Sequence, residues 1–330
     1  LLRDSSGRTI NYLRISVTDR CNLRCIYCMP SQGVRLIEYK EILRYEEIIR
    51  IARVSAGLGL KKIRLTGGEP LRRRDITFLV KELSGINGID ELTLTTNGVL
   101  LQKYAFPLKE AGLTRVNISL DSLNPFRYRE ITRGGDIKVV LDGIREAERA
   151  GLEPISINMV PVRGFNDDEI EAFALLTLEK PYRIRFIEFM PLGARDFWSP
   201  ERYVSQDEIR KRIESLGKLE PAHINTGGPA RYWRFPGARG VIGFISALSN
   251  HFCNECNRLR ITSDGRIRPC LFSETEIDLK PVLRCGGDDR ELERLLILAT
   301  ECKPEGHNYS SSKPPSGEIK SCRPMSGIGG

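Results

Sequence analysis

The 330-residue sequence predicts an α/β fold in which six strand-then-helix units build a parallel sheet, open or curled towards a barrel, with an α+β extension after it. Three observations predict it. Short β-branched runs alternate with helical-period stretches, the units recur roughly every 25 to 40 residues, and the pattern changes after residue 189. Strands are expected at 12–17, 62–66, 91–96, 115–120, 155–160 and 183–189, where Val, Ile, Leu and Thr crowd into runs too short for helices. Helices are expected at 45–58, 75–83, 101–111, 137–150 and 167–178. Gly59, Gly112 and Gly151 follow three of them, as residues that close a helix do. Beyond 189, Pro and Gly are frequent over 221–240, β-like runs fall at 231–235, 241–246 and 258–262, and 289–298 is helical. The segment 302–330, rich in Ser, Pro and Lys, reads as irregular. The expected division is 1–195 for the six units and 196–330 for the extension.

Composition narrows the class. With 40% hydrophobic and 28% charged residues the chain is a soluble globular protein, and whole-chain disorder is excluded. No run approaches the roughly 18 to 20 apolar residues of a membrane span. Lys plus Arg number 51 against 43 acidic residues, a net charge of +8, which favours an anionic partner without choosing among nucleic acid, nucleotide and lipid surface. The first residues carry no secretory apolar stretch, so a cytoplasmic location is expected.

Nine cysteines carry the chemistry. An odd total gathered in tight groups argues against a disulfide framework and for metal. One group is Cys21, Cys25 and Cys28; the other is Cys253, Cys256 and Cys270. Neither has an obvious fourth ligand. Structural zinc sites are closed by four Cys or His, whereas three thiolates on an iron-sulfur cubane leave one iron open. His251, two residues before Cys253, leaves a Cys3His zinc site open for the second group, and six free thiols remain the plain alternative. Other unusual residues fall where strands end: Gly67, Gly68, Glu69 and Pro70 after the second, Thr96, Asn97 and Gly98 after the third, Asp121 and Ser122 after the fourth, Met190 after the sixth. In an α/β barrel that end holds the ligand.

Cys21-x3-Cys25-x2-Cys28, with Tyr27 before the last Cys, resembles the signature of the radical S-adenosylmethionine (SAM) superfamily, and GGEP at 67–70 strengthens the match. The resemblance implies a partial (β/α)6 triosephosphate-isomerase-type barrel carrying a 4Fe-4S cluster whose open iron is chelated by SAM. Within the superfamily the chain is similar to the GTP 3',8-cyclase family of molybdenum cofactor biosynthesis. The similarity rests on LRISVTDRCNLRCIYCMP at 13–30, KIRLTGGEPLRRRD at 62–75, TTNG at 95–98, NISLDSL at 117–123, RFIEFMP at 185–191, HFCNECNRLRITSDG at 251–265 and the final Gly329-Gly330.

That resemblance implies a reaction and a site. An electron entering the first cluster cleaves SAM to methionine and a 5'-deoxyadenosyl radical. The radical takes the 3' hydrogen of GTP, and the ribose radical attacks C8. A second 4Fe-4S cluster on Cys253, Cys256 and Cys270 holds the purine. Tyr27, Gly67, Gly68, Glu69, Ser119 and Met190 match positions lining SAM. Arg14, Arg64, Thr95, Arg258, Leu259 and Arg260 match positions at GTP, where Arg suits phosphate oxygens. Gly329 and Gly330 match a tail that enters the active site. The resemblance also implies a homodimer, a reducing electron donor and a downstream cofactor-synthesis enzyme. Nucleic acid and membrane are not expected partners. Where the family carries a Lys on strand five, this chain has Ser156, with Arg163, Arg185 or a tail Lys as the expected substitute. Cys285, Cys302 and Cys322 have no counterpart. The competing readings are a peptide-modifying radical SAM enzyme with auxiliary clusters and a zinc-stabilised nucleic-acid-binding protein.

Overall fold

The computed structural model describes residues 1–193, 197–224, 227–307 and 323–329. The expected division after 195, Cys322 and Gly330 lie outside the described residues. The chain opens with a two-stranded ribbon, β1 (Leu2–Arg3) and β2 (Thr9–Ile10). Six strand-helix units follow: β3 (Tyr12–Ser16) and α1 (Tyr45–Gly57), β4 (Lys62–Thr66) and α2 (Ile76–Ser84), β5 (Glu91–Thr96) and α3 (Leu101–Glu110), then β6 (Arg115–Ser119) with α4 (Pro125–Thr132) and α5 (Ile137–Arg149), β7 (Ser156–Met159) and α6 (Ile170–Glu179), and β8 (Arg183–Ile187) with α7 (Gln206–Glu214). The fold class read from sequence is the one observed.

Helix α4 is an addition to that reading. Asn124 accepts from the amides of Phe126 and Arg127, and Pro125 fills the first turn, where a missing N–H costs nothing. The signal was a local cap rather than a periodicity. Helix α7 was missed too, although Ser205 caps it by accepting from the Glu208 amide.

The extension carries β9 (Glu220–Ala222), β10 (Arg231–Arg234), β11 (Val241–Ile245), β12 (Arg258–Ile261), β13 (Arg266–Arg268), β14 (Ile277–Asp278), α8 (Lys280–Arg284), α9 (Asp289–Glu301) and the tail turn α10 (Met325–Ile328). It joins the sheet at both ends. The order is β14-β13-β12-β3-β4-β5-β6-β7-β8-β11-β10-β9, with every pair from β12 to β11 parallel. The six expected strands are thus flanked by one further parallel strand on each side, and β14 and β9 remain edges.

Period two divides each strand between two faces. Leu13, Ile15, Ile63, Leu65, Leu94, Val116, Ile118, Ile157, Ile184 and Phe186 are buried in the core with the helices. The alternate positions are polar, and the register aligns them across the sheet: Arg260, Arg14, Arg64, Thr93 and Arg115 in one row, Thr95, Asn117, Ser156 and Arg183 in the next. A sheet face this polar faces a site rather than a packed core.

Candidate active site

That face lines a cavity of about 340 Å³. All six thiols of the two groups border it, Cys21, Cys25 and Cys28 together with Cys253, Cys256 and Cys270, although some 225 residues separate the groups in sequence. Tyr27, Gly67, Gly68, Ser119, Met190, Arg14, Arg64, Thr95, Arg258 and Arg260 line the same space. Two expected residues stand behind it. Leu259 is fully buried in the hydrophobic core, paired with Leu13. Glu69 turns its carboxylate inward, accepting from the Leu71 amide (3.0 Å), the Thr96 hydroxyl (2.8 Å) and the Asn97 amide (2.7 Å). Burial raises its pKa to about 7 despite those bonds.

The first thiol group sits on a tight loop. Amides of Cys28 and Met29 both donate to the Cys25 carbonyl, at 2.9 and 3.1 Å. The glycine pair explains how the loop is held. A Cβ at Gly67 would lie 2.4 Å from the Thr18 carbonyl oxygen, and one at Gly68 would lie 2.4 Å from that of Arg20. Gly67 also has φ +145°, which L side chains rarely adopt. The bare backbone therefore presses on the segment leading into Cys21 and bonds to it, Gly68 amide to Thr18 carbonyl (2.7 Å) and Glu69 amide to Arg20 carbonyl (2.8 Å). Tyr27 donates its hydroxyl to Asp121 at 2.5 Å, and Asp121 also accepts the Val160 amide. Burial lifts the Asp121 carboxyl to about 6.

The two thiol groups differ electrostatically. Burial, then the neighbouring Cys21 and Asp121, push Cys28 to about 12. At Cys256 burial acts in the same direction, but the charges of Arg258 and Lys303 outweigh it and bring the thiol down to about 6. Among the described residues one set of three ligand atoms lies within 4.8 Å of one another, and it is neither thiol group: it is His251, Cys253 and His307. Thiolates around one zinc at about 2.3 Å crowd to under 4 Å apart, so neither group of three is drawn together as in a closed mononuclear site, and the donor set of three thiolates is one that a cubane accepts. His251 does approach Cys253, as the zinc alternative required, but without Cys256 and Cys270.

Cations form the wall between the two groups. Arg185, unexposed, donates to Tyr232 (2.9 Å), Asn117 (2.7 Å) and Ser156 (2.7 Å). It therefore occupies the place beside Ser156, whereas Arg163 lies on the surface paired with Glu208. Arg64 and Arg260 are brought down to about 10 by burial and, for Arg260, by Arg258; both stay charged at neutral pH. Tyr12 Oη, Thr95 Oγ1, Arg115 Nη1, Asn158 Oδ1 and Ser326 Oγ are buried lining atoms with no hydrogen-bond partner among the described residues. Such atoms are rare unless a ligand or water satisfies them. Sequence reasoning had not named Tyr12, Arg115, Asn158 or Lys303; strand parity with Arg14 and Ser119 was the available signal for the first two. The tail reaches this wall: Met325 and Ser326 line the cavity, and Arg260 donates to the Gly329 carbonyl at 2.8 Å.

A parallel partial barrel with a Cys-x3-Cys-x2-Cys loop stitched to Gly-Gly-Glu-Pro at its mouth defines a radical SAM protein. Family matches agree: residues 15–177 match the Radical SAM superfamily, and 182–309 match Molybdenum Cofactor Synthesis C. The chain belongs to the GTP 3',8-cyclase family. It is 50% identical over 331 residues to the GTP 3',8-cyclase of Thermodesulfovibrio yellowstonii and 52% identical over 330 residues to that of Moorella thermoacetica, covering 100% of both chains in each case. Among solved structures, Streptococcus suis SuiB bound to S-adenosylmethionine superposes with a TM-score of 0.62 at 17% identity, over 85% of this chain and 66% of that one, a likeness of fold alone. Relatedness over the whole length displaces the peptide-modifying and nucleic-acid-binding readings. No helix among the described residues is long and apolar enough to cross a membrane.

Proposed function

We propose that the chain converts GTP to 3',8-cyclo-7,8-dihydro-GTP, the first step of molybdenum cofactor biosynthesis. The observation that carries the reading is a single cavity bordered by both cysteine groups and walled by arginines, in a chain half identical to named cyclases. Cys21, Cys25 and Cys28 are the thiolates for the 4Fe-4S cluster that the superfamily uses, and three ligands leave one iron for SAM. That group, when bound and reduced, supplies SAM with the electron that yields a hydrogen-abstracting 5'-deoxyadenosyl radical. Cys253, Cys256 and Cys270 hold a second cluster in the same way.

The remaining work belongs to the protein. Tyr27, Gly67, Gly68, Ser119 and Met190 enclose SAM beside the first group, with Asp121 fixing the Tyr27 ring through its hydroxyl. Arg14, Arg64 and Arg185 draw the triphosphate along the inner wall, and Arg258 and Arg260 orient the nucleotide at the second group. Thr95 and Asn158 offer to the ribose end buried oxygens that have no hydrogen-bond partner among the described residues. Holding the 3' carbon between the groups turns hydrogen transfer into a positioned, intramolecular event, and the depth of the cavity limits the radical's contact with water. A reducing electron donor, a homodimer, a cytoplasmic setting and a second cofactor-synthesis enzyme that takes the product complete the reading.

The test is anaerobic reconstitution with iron and sulfide, reduction, and incubation with SAM and 3'-deuterated GTP. Deuterium in 5'-deoxyadenosine together with a cyclised nucleotide is expected. SAM cleavage with GTP untouched would overturn the cyclase reading, and zinc in place of iron would remove it altogether.

A further inference from the structure

The second cysteine group lies on two stretches of chain, with Cys253 and Cys256 on one turn and Cys270 on the other stretch. Cys253 begins a short 3-10 turn, Cys256 leads into β12, and Cys270 follows β13. The β12–β13 ladder ends at the pair Arg260 and Arg268. Continued two residues further, its register would set Arg258 opposite Cys270. Instead, the Lys303 ammonium stands in that opening and donates to the Arg258 carbonyl (2.9 Å) and the Pro269 carbonyl (2.8 Å). Arg8 reaches in from the N-terminal ribbon. Its guanidinium donates to the Cys253 carbonyl (2.5 Å), the Glu305 carbonyl (2.9 Å) and the Pro304 carbonyl (2.7 Å), while Nε pairs with Asp4 at 2.6 Å. The segment 303–305 is thereby pinned to both cysteine-bearing stretches.

Both cations are buried, Lys303 at 3% exposure and Arg8 at 8%. They are not equivalent. Arg8 has a carboxylate partner in Asp4. The bonds of Lys303 given above go to neutral carbonyls, and the negative charges that act on it are the thiolates of Cys256 and Cys270. A buried ammonium is costly unless an anion offsets it. Three thiolates on a 4Fe-4S cluster carry net negative charge, which grows on reduction, and nearby charge is a main determinant of cluster potential.

We propose that Arg8 and Lys303 are positioning residues for the second cluster: both set the spacing of the two segments that carry its three ligands, and Lys303 in addition holds its reduction potential up by its charge. The proposal rests on the second-cluster reading above. It is tested in full-length protein carrying Cys21→Ala, Cys25→Ala and Cys28→Ala, so that only the second group can hold iron, by iron and sulfide analysis and an electron-paramagnetic-resonance redox titration.

This background is expected to hold about four irons per chain; one that holds none refutes the second-cluster reading itself. Adding Arg8→Met together with Asp4→Asn, which removes both charges of the pair, lowers occupancy and leaves the midpoint of the remaining clusters in place. Adding Lys303→Met lowers occupancy and moves the midpoint to more negative potential, and Lys303→Arg returns it. Full iron with an unmoved midpoint in Lys303→Met overturns the proposal. If Lys303→Met binds no iron at all, recovery of iron in Lys303→Arg supports the proposal and failure to recover overturns it.

Discussion

Replacing Gly68 with Ala tests whether the Gly-Gly pair acts through the cysteine loop. A Cβ there would sit 2.4 Å from the Arg20 carbonyl oxygen, 2.6 Å from the Arg20 carbonyl carbon and 2.9 Å from the Asp19 carbonyl oxygen. Ordinary contact begins near 3.4 Å, so one chain must retreat by about 1 Å. All three obstacles are backbone atoms, so no side-chain rotation relieves them. Retreat also stretches the bonds from Gly68 to Thr18 and from Glu69 to Arg20, 2.7 and 2.8 Å long. Two hydrogen bonds at about 0.5 to 1.5 kcal/mol each, plus about 1 to 3 kcal/mol of overpacking, give a destabilisation of roughly 2 to 6 kcal/mol. Because the displaced segment runs straight into Cys21, iron binding at the first group falls with stability. The assay is thermal unfolding of the metal-free protein alongside iron content after reconstitution. Gly57→Ala is the matched control: it closes α1, has nothing within 4 Å of its Cβ position, and is expected to be neutral or stabilising by up to about 1 kcal/mol. Equal melting and equal iron in Gly68→Ala and the parent would refute the reasoning.

Three further outcomes are expected. Arg185→Met removes a guanidinium fixed by three neutral partners and weakens GTP binding by about 10- to 150-fold, the equivalent of about 1.5 to 3 kcal/mol, with SAM binding unchanged in equilibrium dialysis. Arg323→Ala removes a fork on Asp264 (2.8 and 2.9 Å) and a bond to Glu276 (2.7 Å), so hydrogen exchange over the tail turn α10 should speed up by at least about tenfold while the barrel strands keep their protection. Joint replacement of Cys253, Cys256 and Cys270 by Ala should halve the iron of the reconstituted protein, from about eight to about four per chain. SAM cleavage should then persist without a cyclised nucleotide.

The barrel was legible because its information is local. Strands β3 to β8 and the helices between them, α4 excepted, each announce themselves by a run of β-branched residues or a helical period, and their observed ends fall within three residues of the expected ones. The placement of β11 and β12 was not legible. Both runs look like strands, but which edge accepts them depends on pairing with Arg183–Ile187 and Tyr12–Ser16, partners far away in sequence. The cysteine groups were readable from spacing, and the arginines that follow Cys256 from parity. Lys303 was not, because it lies beyond a helix end with no pattern around it, and its role exists only once Arg258 and Pro269 have been brought together. Glu69 shows the opposite failure. Its place in the Gly-Gly-Glu-Pro motif suggested a ligand contact, whereas its carboxylate closes the turn behind the cavity.

The inner wall also explains where the excess positive charge is used. Arg260, Arg14 and Arg64 are direct neighbours across three adjacent strands, a spacing at which like charges repel. Burial and then the other guanidiniums depress the pKa of Arg14 well below its ordinary value, with Arg260 the largest contributor among those charges. Elsewhere in the sheet the same problem is solved internally, since Glu91 pairs with both Lys62 and Arg115. No carboxylate stands among Arg260, Arg14 and Arg64 in their strands, where the aligned residues are Arg, Arg and Arg. The tail supplies the Gly329 carbonyl dipole to Arg260. A neutral dipole offsets far less charge than a triphosphate does, so a bound triphosphate relieves repulsion between these guanidiniums. Binding and stability are then linked: whatever repulsion the wall stores in the free protein returns as affinity for a polyanion, and the site selects for charge before it selects for a base.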